Sequence, residues 1–263
     1  MRKMYLLIAL AILLPAALAN AQSPFDGTWK TNMNNVDFPK KPDVYVLKDG
    51  MYSCKTCTPP YTIKADGSDQ KITDPYVDTM AVKVVNDHEI ELTGKKNGKV
   101  VQETKVTVSP DGNTMMFEFT DSSNTNGAPV TGKGEATRVA KGPAGSSPVS
   151  GSWRMSKMSN MSDNAITYTY KTNGDELTMT NGTGQSYTAK MDGSDAPMKG
   201  DPGVTTVSVK RIGKNGFEET DKRDGKVIGV FKATVSSDGK TLTGVYDDKQ
   251  HGTSAKFTAT KQE

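Results

Sequence analysis

The only two cysteines of the chain stand three apart, in Cys54-Lys55-Thr56-Cys57. That spacing suits three chemistries. A thiol–disulfide exchanger needs its first sulfur at a helix N-terminus, where the dipole lowers the thiol pKa. A zinc site needs a second pair of ligands. An oxidised pair needs neither, and simply closes a small ring. Here Tyr52-Ser53 precedes the motif and Thr58-Pro59-Pro60 follows it, a loop between strands rather than a helix start. The structural disulfide is therefore the favoured reading, with thiol exchange and metal binding as its alternatives. A ring this short contributes modest stability, because loop-closure entropy falls with loop length.

The other reactive side chains form no constellation. His88 and His251 are the only histidines, each among turn residues (Asn86-Asp87-His88-Glu89 and Lys249-Gln250-His251-Gly252). A triad needs base, acid and nucleophile in contact, and Asp87 beside His88 is no evidence of pairing. Both read as solvated turn histidines. Asp66-Gly67-Ser68-Asp69 and Asp192-Gly193-Ser194-Asp195 place two carboxylates close together. A calcium loop needs more oxygens at fixed positions, whereas Asp-Gly turn chemistry accounts for the motif without an ion. Asn181-Gly182-Thr183-Gly184 lacks the following helix of a phosphate loop and reads as a turn. No catalytic residue, metal site or cofactor is expected, and the chain reads as a non-enzyme.

The elements around these residues are duplicated. Phe25-Asp26-Gly27-Thr28-Trp29-Lys30 matches Val149-Ser150-Gly151-Ser152-Trp153-Arg154, and the segment from Tyr61 to Asp69 matches that from Tyr187 to Asp195. Gly98-Lys99-Val100 matches Gly225-Lys226-Val227, and Thr107–Gly112 matches Thr234–Gly239. The offset drifts only from 124 to 127, so the chain carries two copies of one unit. The expected units are 22–139 and 149–263, joined by a Gly/Pro/Ser linker at 140–148.

Each copy alternates apolar and polar residues with period two, as in Glu89-Ile90-Glu91-Leu92 and Thr205-Thr206-Val207-Ser208-Val209. Such strands turn one face to a core and the other to water. Asx-Gly pairs such as Asn97-Gly98 and Asp224-Gly225 supply tight hairpin turns. The pattern predicts an all-β protein of two antiparallel barrels or half-barrels, with seven or eight strands per copy. Large apolar residues are sparse, so a partly open sheet packed on its twin also fits the composition. Trp29 and Trp153 occupy the same slot in each copy, which favours a core role over ligand stacking.

The N-terminus reads as a secretory signal over 1–21. Arg2 and Lys3 precede an apolar run, and Ala19-Asn20-Ala21 offers a cleavage pattern, with Gln22 as the mature start. No later stretch is apolar enough to span a membrane, and the expected location is periplasmic or secreted. The chain has 33 basic and 30 acidic residues, and 31 against 30 once Arg2 and Lys3 are removed. The charges are interleaved, which argues against a nucleic-acid partner.

Gly27-Thr28-Trp29 and Gly151-Ser152-Trp153 resemble the opening motif of lipocalins and related calycin barrels. The resemblance implies that Gly27, Trp29, Gly151 and Trp153 close one end of each antiparallel barrel, while the other end admits an apolar ligand. The mature chain is also similar to exported bacterial tandem-repeat proteins. The expected function is a binding or envelope-associated protein, carrying a small apolar or amphipathic ligand or meeting an envelope protein. The alternatives are a structural or interaction module, and a redox protein using Cys54 and Cys57.

Overall fold

The computed structural model describes residues 23–263, so the expected leader at 1–21 and its cleavage point lie outside them. The strands in chain order are β1 (Gly27–Thr31), β2 (Asp43–Lys48), β3 (Met51–Cys54), β4 (Tyr61–Lys64), β5 (Gln70–Lys71), β6 (Thr79–Asn86) and β7 (Glu89–Lys96). They continue as β8 (Lys99–Val108), β9 (Thr114–Asp121), β10 (Val130–Lys141), β11 (Gly151–Ser159), β12 (Thr167–Asn173), β13 (Glu176–Asn181) and β14 (Ser186–Lys190). The last are β15 (Asp192–Pro197), β16 (Thr206–Ile212), β17 (Gly216–Arg223), β18 (Lys226–Val235), β19 (Thr241–Asp248) and β20 (Thr253–Lys261). One helical turn, α1 (Asp163–Ile166), precedes β12.

The strands form two ten-stranded antiparallel sheets, each curled into a nearly closed barrel. Ten strands per sheet exceed the seven or eight expected. The excess lies in short pieces such as β3, β4 and the two-residue β5, too brief to show a period in sequence. In the first barrel Gly67 N donates to Val82 O (2.9 Å) across the seam beside β4. In the second, Ser186 and Lys199 bridge the seam between β14 and β15. Closure leaves little unpaired edge, the usual hazard of an antiparallel sheet.

The sheets partition the chain differently from the copies expected at 22–139 and 149–263. The first barrel is β2 to β11, a continuous stretch; the second is β12 to β20 plus β1. Each barrel therefore takes its Gly-x-Trp strand from the other copy. Trp29 pairs with Tyr168 and Lys261, and Trp153 pairs with Arg138 and Asp43. The chain crosses between the sheets twice, through residues 32–42 and through the segment around α1. The two strands share one pattern, so the repeat alone does not say which sheet each completes.

The segment 140–148 is not a free tether but the loop of the β10–β11 hairpin, where Lys141 pairs with Gly151. Ser147 N donates to Leu47 O (2.9 Å), and the Ser150 hydroxyl accepts from Leu47 N (2.8 Å). Arg138 reaches Pro148 O (2.5 Å) and Ser150 O (2.6 Å), satisfying carbonyls that a Gly/Pro loop cannot pair by itself.

Candidate functional site

The inward faces of the two barrels differ, and that difference defines the site. In the first barrel Ile90 and Leu92 of β7 point inward, as do Val106 of β8 and Met115 and Phe117 of β9. With Tyr45, Tyr52, Val149, Trp153 and Met155 they line an apolar cavity of about 250 Å³. Tyr45 and Tyr52 stack at 6.2 Å along one wall. Burial pushes the Tyr52 hydroxyl well above its ordinary pKa, so it stays a neutral phenol. The volume lies just under the usual range for small-molecule sites, and the lining has their apolar character.

The second barrel is filled by its own rings. Phe25 meets Phe217 edge-on at 5.2 Å, Phe217 meets Phe231 at 6.0 Å, and Phe231 stacks on Phe257 at 5.9 Å. Leu177, Val207, Val209 and Leu242 are fully buried around them. The hairpins β7–β8 and β17–β18 share one register and one bulge, so a constant offset of 127 equates their positions. Thr104 in the first cavity thus corresponds to Phe231 in the second barrel, and Leu92 to Glu219.

That last exchange puts a carboxyl inside the second barrel. Glu219 and Asp221 alternate inward on β17 and are both 7% exposed. Tyr187 Oη donates to Glu219 Oε2 at 2.6 Å, while Asp221 Oδ1 is buried without a partner. Burial first, and then the Asp221 charge, push Glu219 up to about 8; burial also raises Asp221, to about 6. The pair holds a proton at neutral pH and titrates as a unit. Sequence reasoning missed it. The available signal was Phe217-x-Glu219-x-Asp221 on one strand face, set against Ile90-x-Leu92-x-Gly94 in the other copy.

The residues singled out from the sequence lie as follows. Cys54 and Cys57 form a disulfide with their Cα atoms 5.5 Å apart. The pair sits at the end of β3, and Cys54 is 1% exposed, inside the first core. No helix begins there to lower a thiol pKa. Trp29 and Trp153 are buried, at 0% and 1% exposure, and each donates its indole N–H to the carbonyl four residues earlier, on Phe25 (2.9 Å) and Val149 (3.0 Å). A cation covers each ring: the Arg138 guanidinium lies 4.0 Å from that of Trp153 and Lys261 Nζ lies 5.4 Å from that of Trp29. Gly27 and Gly151 have φ of +129° and +145°, and a side chain there would collide with Lys261 and with Arg138 and Ala140 O respectively.

His88 sits in its turn, with Nδ1 3.1 Å from Val108 O. His251 is not merely solvated. Its Nδ1 lies 2.5 Å from Asp248 Oδ2 and its Nε2 2.9 Å from Thr58 Oγ1, which joins the β19–β20 turn to the loop after Cys57. The order hydroxyl, imidazole, carboxylate matches a nucleophile relay, yet acyl transfer also needs donors aimed at an oxyanion. The surrounding bonds serve attachment instead, Lys41 Nζ binding His251 O at 2.7 Å. The paired aspartates are occupied as well. Asp66 and Asp192 accept from Ser68 N (2.9 Å) and Ser194 N (2.8 Å), as turn chemistry requires. Asp69 pairs with Lys95 (2.6 Å) and Asp195 with Lys222 (2.5 Å).

A wider groove of about 520 Å³ crosses β7 to β10, with Glu91, Glu103, Lys105, Glu118 and Lys133 in its lining. Lys133 meets Glu118 at 2.7 Å, and Lys105 meets Glu89 at 3.0 Å beside it. These exposed pairs contribute little energy, and the groove has no apolar floor to hold a ligand. The apolar cavity of the first barrel is the better candidate. No protein-family model matches the chain, and no curated protein matches it in sequence. Among the described residues, no helix is long and apolar enough to cross a membrane.

Proposed function

We propose that this is an exported, non-enzymatic binding protein whose first barrel, lipocalin-like in kind, holds a small apolar or amphipathic molecule. The single observation that carries this reading is the contrast between two related interiors. One retains a cavity of about 250 Å³ at the positions where the other is packed with Phe231 and its neighbouring rings. A barrel kept for stability alone gains from filling such a space, because dispersion contacts are lost across every void. The buried disulfide supports an oxidising compartment, in line with the leader read from the sequence.

Thr104→Phe copies the second barrel's solution into the first. The expected outcome is loss of binding of an apolar fluorescent probe by at least tenfold, about 1.4 kcal/mol, with the thermal midpoint unchanged or raised. Full probe binding by the folded variant contradicts the reading. A second reading, a protein-interaction module, is favoured by β6. Its Val84 and Val85 are 43% and 41% exposed beyond the two-residue β5 that pairs with the other end of the strand. A partner on that edge is expected to protect the Val84 and Val85 amides from hydrogen exchange without changing probe affinity.

A further inference from the structure

The cavity of the first barrel stands where the second barrel keeps an aromatic ring of its own, and we infer that its ligand is a small neutral molecule carrying an aromatic ring. This rests on the apolar binding reading above and names the class of ligand. The pairing registers equate the walls of the two barrels. Ile90 pairs with Val106 and Leu92 with Thr104, as Phe217 pairs with Ala233 and Glu219 with Phe231. Ile90 therefore answers to Phe217, and Thr104 to Phe231. In the second barrel these positions belong to a chain of rings. Phe217 meets Phe231 edge-on at 6.0 Å, and Phe231 stacks on Phe257 at 5.9 Å with the two planes 5° apart. In the first barrel Ile90 and Thr104 line the cavity, and neither carries a ring.

Of the stacked pair, one ring has a substitute in the first barrel and the other has none. Phe117 of β9 pairs with Gly134 of β10, where the second barrel sets Gly244 of β19 against Phe257 of β20. Ring and glycine have changed places between the two strands. A Cβ on Gly244 would stand 2.6 Å from the Phe257 ring and 2.7 Å from the Phe231 ring, so both rings crowd over that glycine. In the first barrel the tip of the Phe117 ring lies against Gly134, on the strand that carries Phe257 in the twin. Phe117 thus substitutes for Phe257. At the place of Phe231 the first barrel has a threonine and the cavity. A ligand ring stacked on Phe117 completes this wall as Phe231 completes the other, in a geometry that contributes beyond its buried area. Met115 and Met155 also line the cavity, and their thioethers favour contact with ring edges. The polar side chains of the lining are Asp43, Tyr45, Tyr52 and Thr104, with no lysine, arginine or histidine among them. A carboxylate on the ligand finds no counter-charge there and meets Asp43 with repulsion.

The test is calorimetric titration of the intact protein at pH 7 with 4-ethylphenol, 4-ethylcyclohexanol and 4-ethylbenzoate. The first two share a skeleton and differ in the flat ring, while the third adds a charge. The saturated ring presents at least as much apolar surface, so transfer from water alone gives 4-ethylphenol no advantage. The expected result is 4-ethylphenol binding about fivefold or more tighter than 4-ethylcyclohexanol, and about tenfold or more tighter than 4-ethylbenzoate. Phe117→Leu keeps an apolar wall and removes the stacking partner; it is expected to narrow the first ratio to about twofold or less, whereas Phe117→Tyr preserves it. Equal affinity for the ring and its saturated analogue, or a ratio unmoved by Phe117→Leu, overturns the ring inference and leaves the apolar site standing. The ratio in the unsubstituted protein decides the matter even where Phe117→Leu fails to fold. Binding of 4-ethylbenzoate as tight as that of 4-ethylphenol overturns the neutral class. If none of the three binds while the apolar fluorescent probe does, the ring inference falls alone; if the probe fails too, the binding reading falls with it.

Discussion

At the scale of single residues, the buried pair Glu219 and Asp221 makes a prediction independent of any ligand. Burial raises both carboxyls, so between about pH 5 and pH 8 the native state holds protons that the unfolded chain has released. Where the native state binds more protons, stability falls as pH rises. The contribution is intact below the ordinary glutamate value and lost as pH passes through the raised one. The four aspartates held below their ordinary value by turn hydrogen bonds, Asp66, Asp111, Asp192 and Asp238, titrate under this window and do not mask it. The thermal midpoint is expected to drop by roughly 5 °C or more from pH 5 to pH 8, and Glu219→Gln is expected to flatten that slope. Circular dichroism melts across the range check it; a flat profile in the unsubstituted protein contradicts it. Residues of this kind were hard to read from sequence because a Glu on an alternating strand looks like its solvent face. The two tryptophans and the cysteine pair were legible because their types seldom stand elsewhere. The cations over Trp29 and Trp153 were not: Lys261 lies far from Trp29 in sequence, and Arg138, though Trp153's partner across the β10–β11 hairpin, is an unremarkable strand cation by itself.

At the scale of elements, strand content and hairpin turns followed from alternation and Asx-Gly pairs, but strand partners did not. β1 and β11 carry the same Gly-x-Trp pattern, so local sequence cannot say which sheet each completes. The two crossings between the sheets, at 32–42 and around α1, have no periodic signature either. The consequence is directional. Residues 43–159 contain every strand of the first barrel, whereas residues 149–263 lack β1 of the second and carry a β11 that belongs elsewhere. A fragment spanning 43–159 is expected to unfold in one cooperative transition. A fragment spanning 160–263 is expected to stay unfolded alone, because it lacks Phe25 and Trp29, both fully buried in that core, and losing such side chains costs roughly 3–5 kcal/mol each. Adding a peptide of residues 23–31 is expected to restore structure to it. Independent folding of 149–263 with its own β11 in place of β1 contradicts the exchange.

At the scale of the whole molecule, two barrels of one ancestry are tied together by exchanged strands and have taken different interiors. One fills its interior with stacked rings and a buried acid pair; the other keeps an apolar cavity. The duplication itself was plain in the sequence. The divergence was not, because it rests on a few inward positions such as Thr104 against Phe231, which matter only once the barrels are closed. The most direct test of this asymmetry is the binding stoichiometry of a small apolar probe such as octanol, measured by native mass spectrometry on the intact protein and its Thr104→Phe variant. One molecule per chain, falling to none in the variant, is the predicted result; two per chain, or one that survives the substitution, contradicts the account.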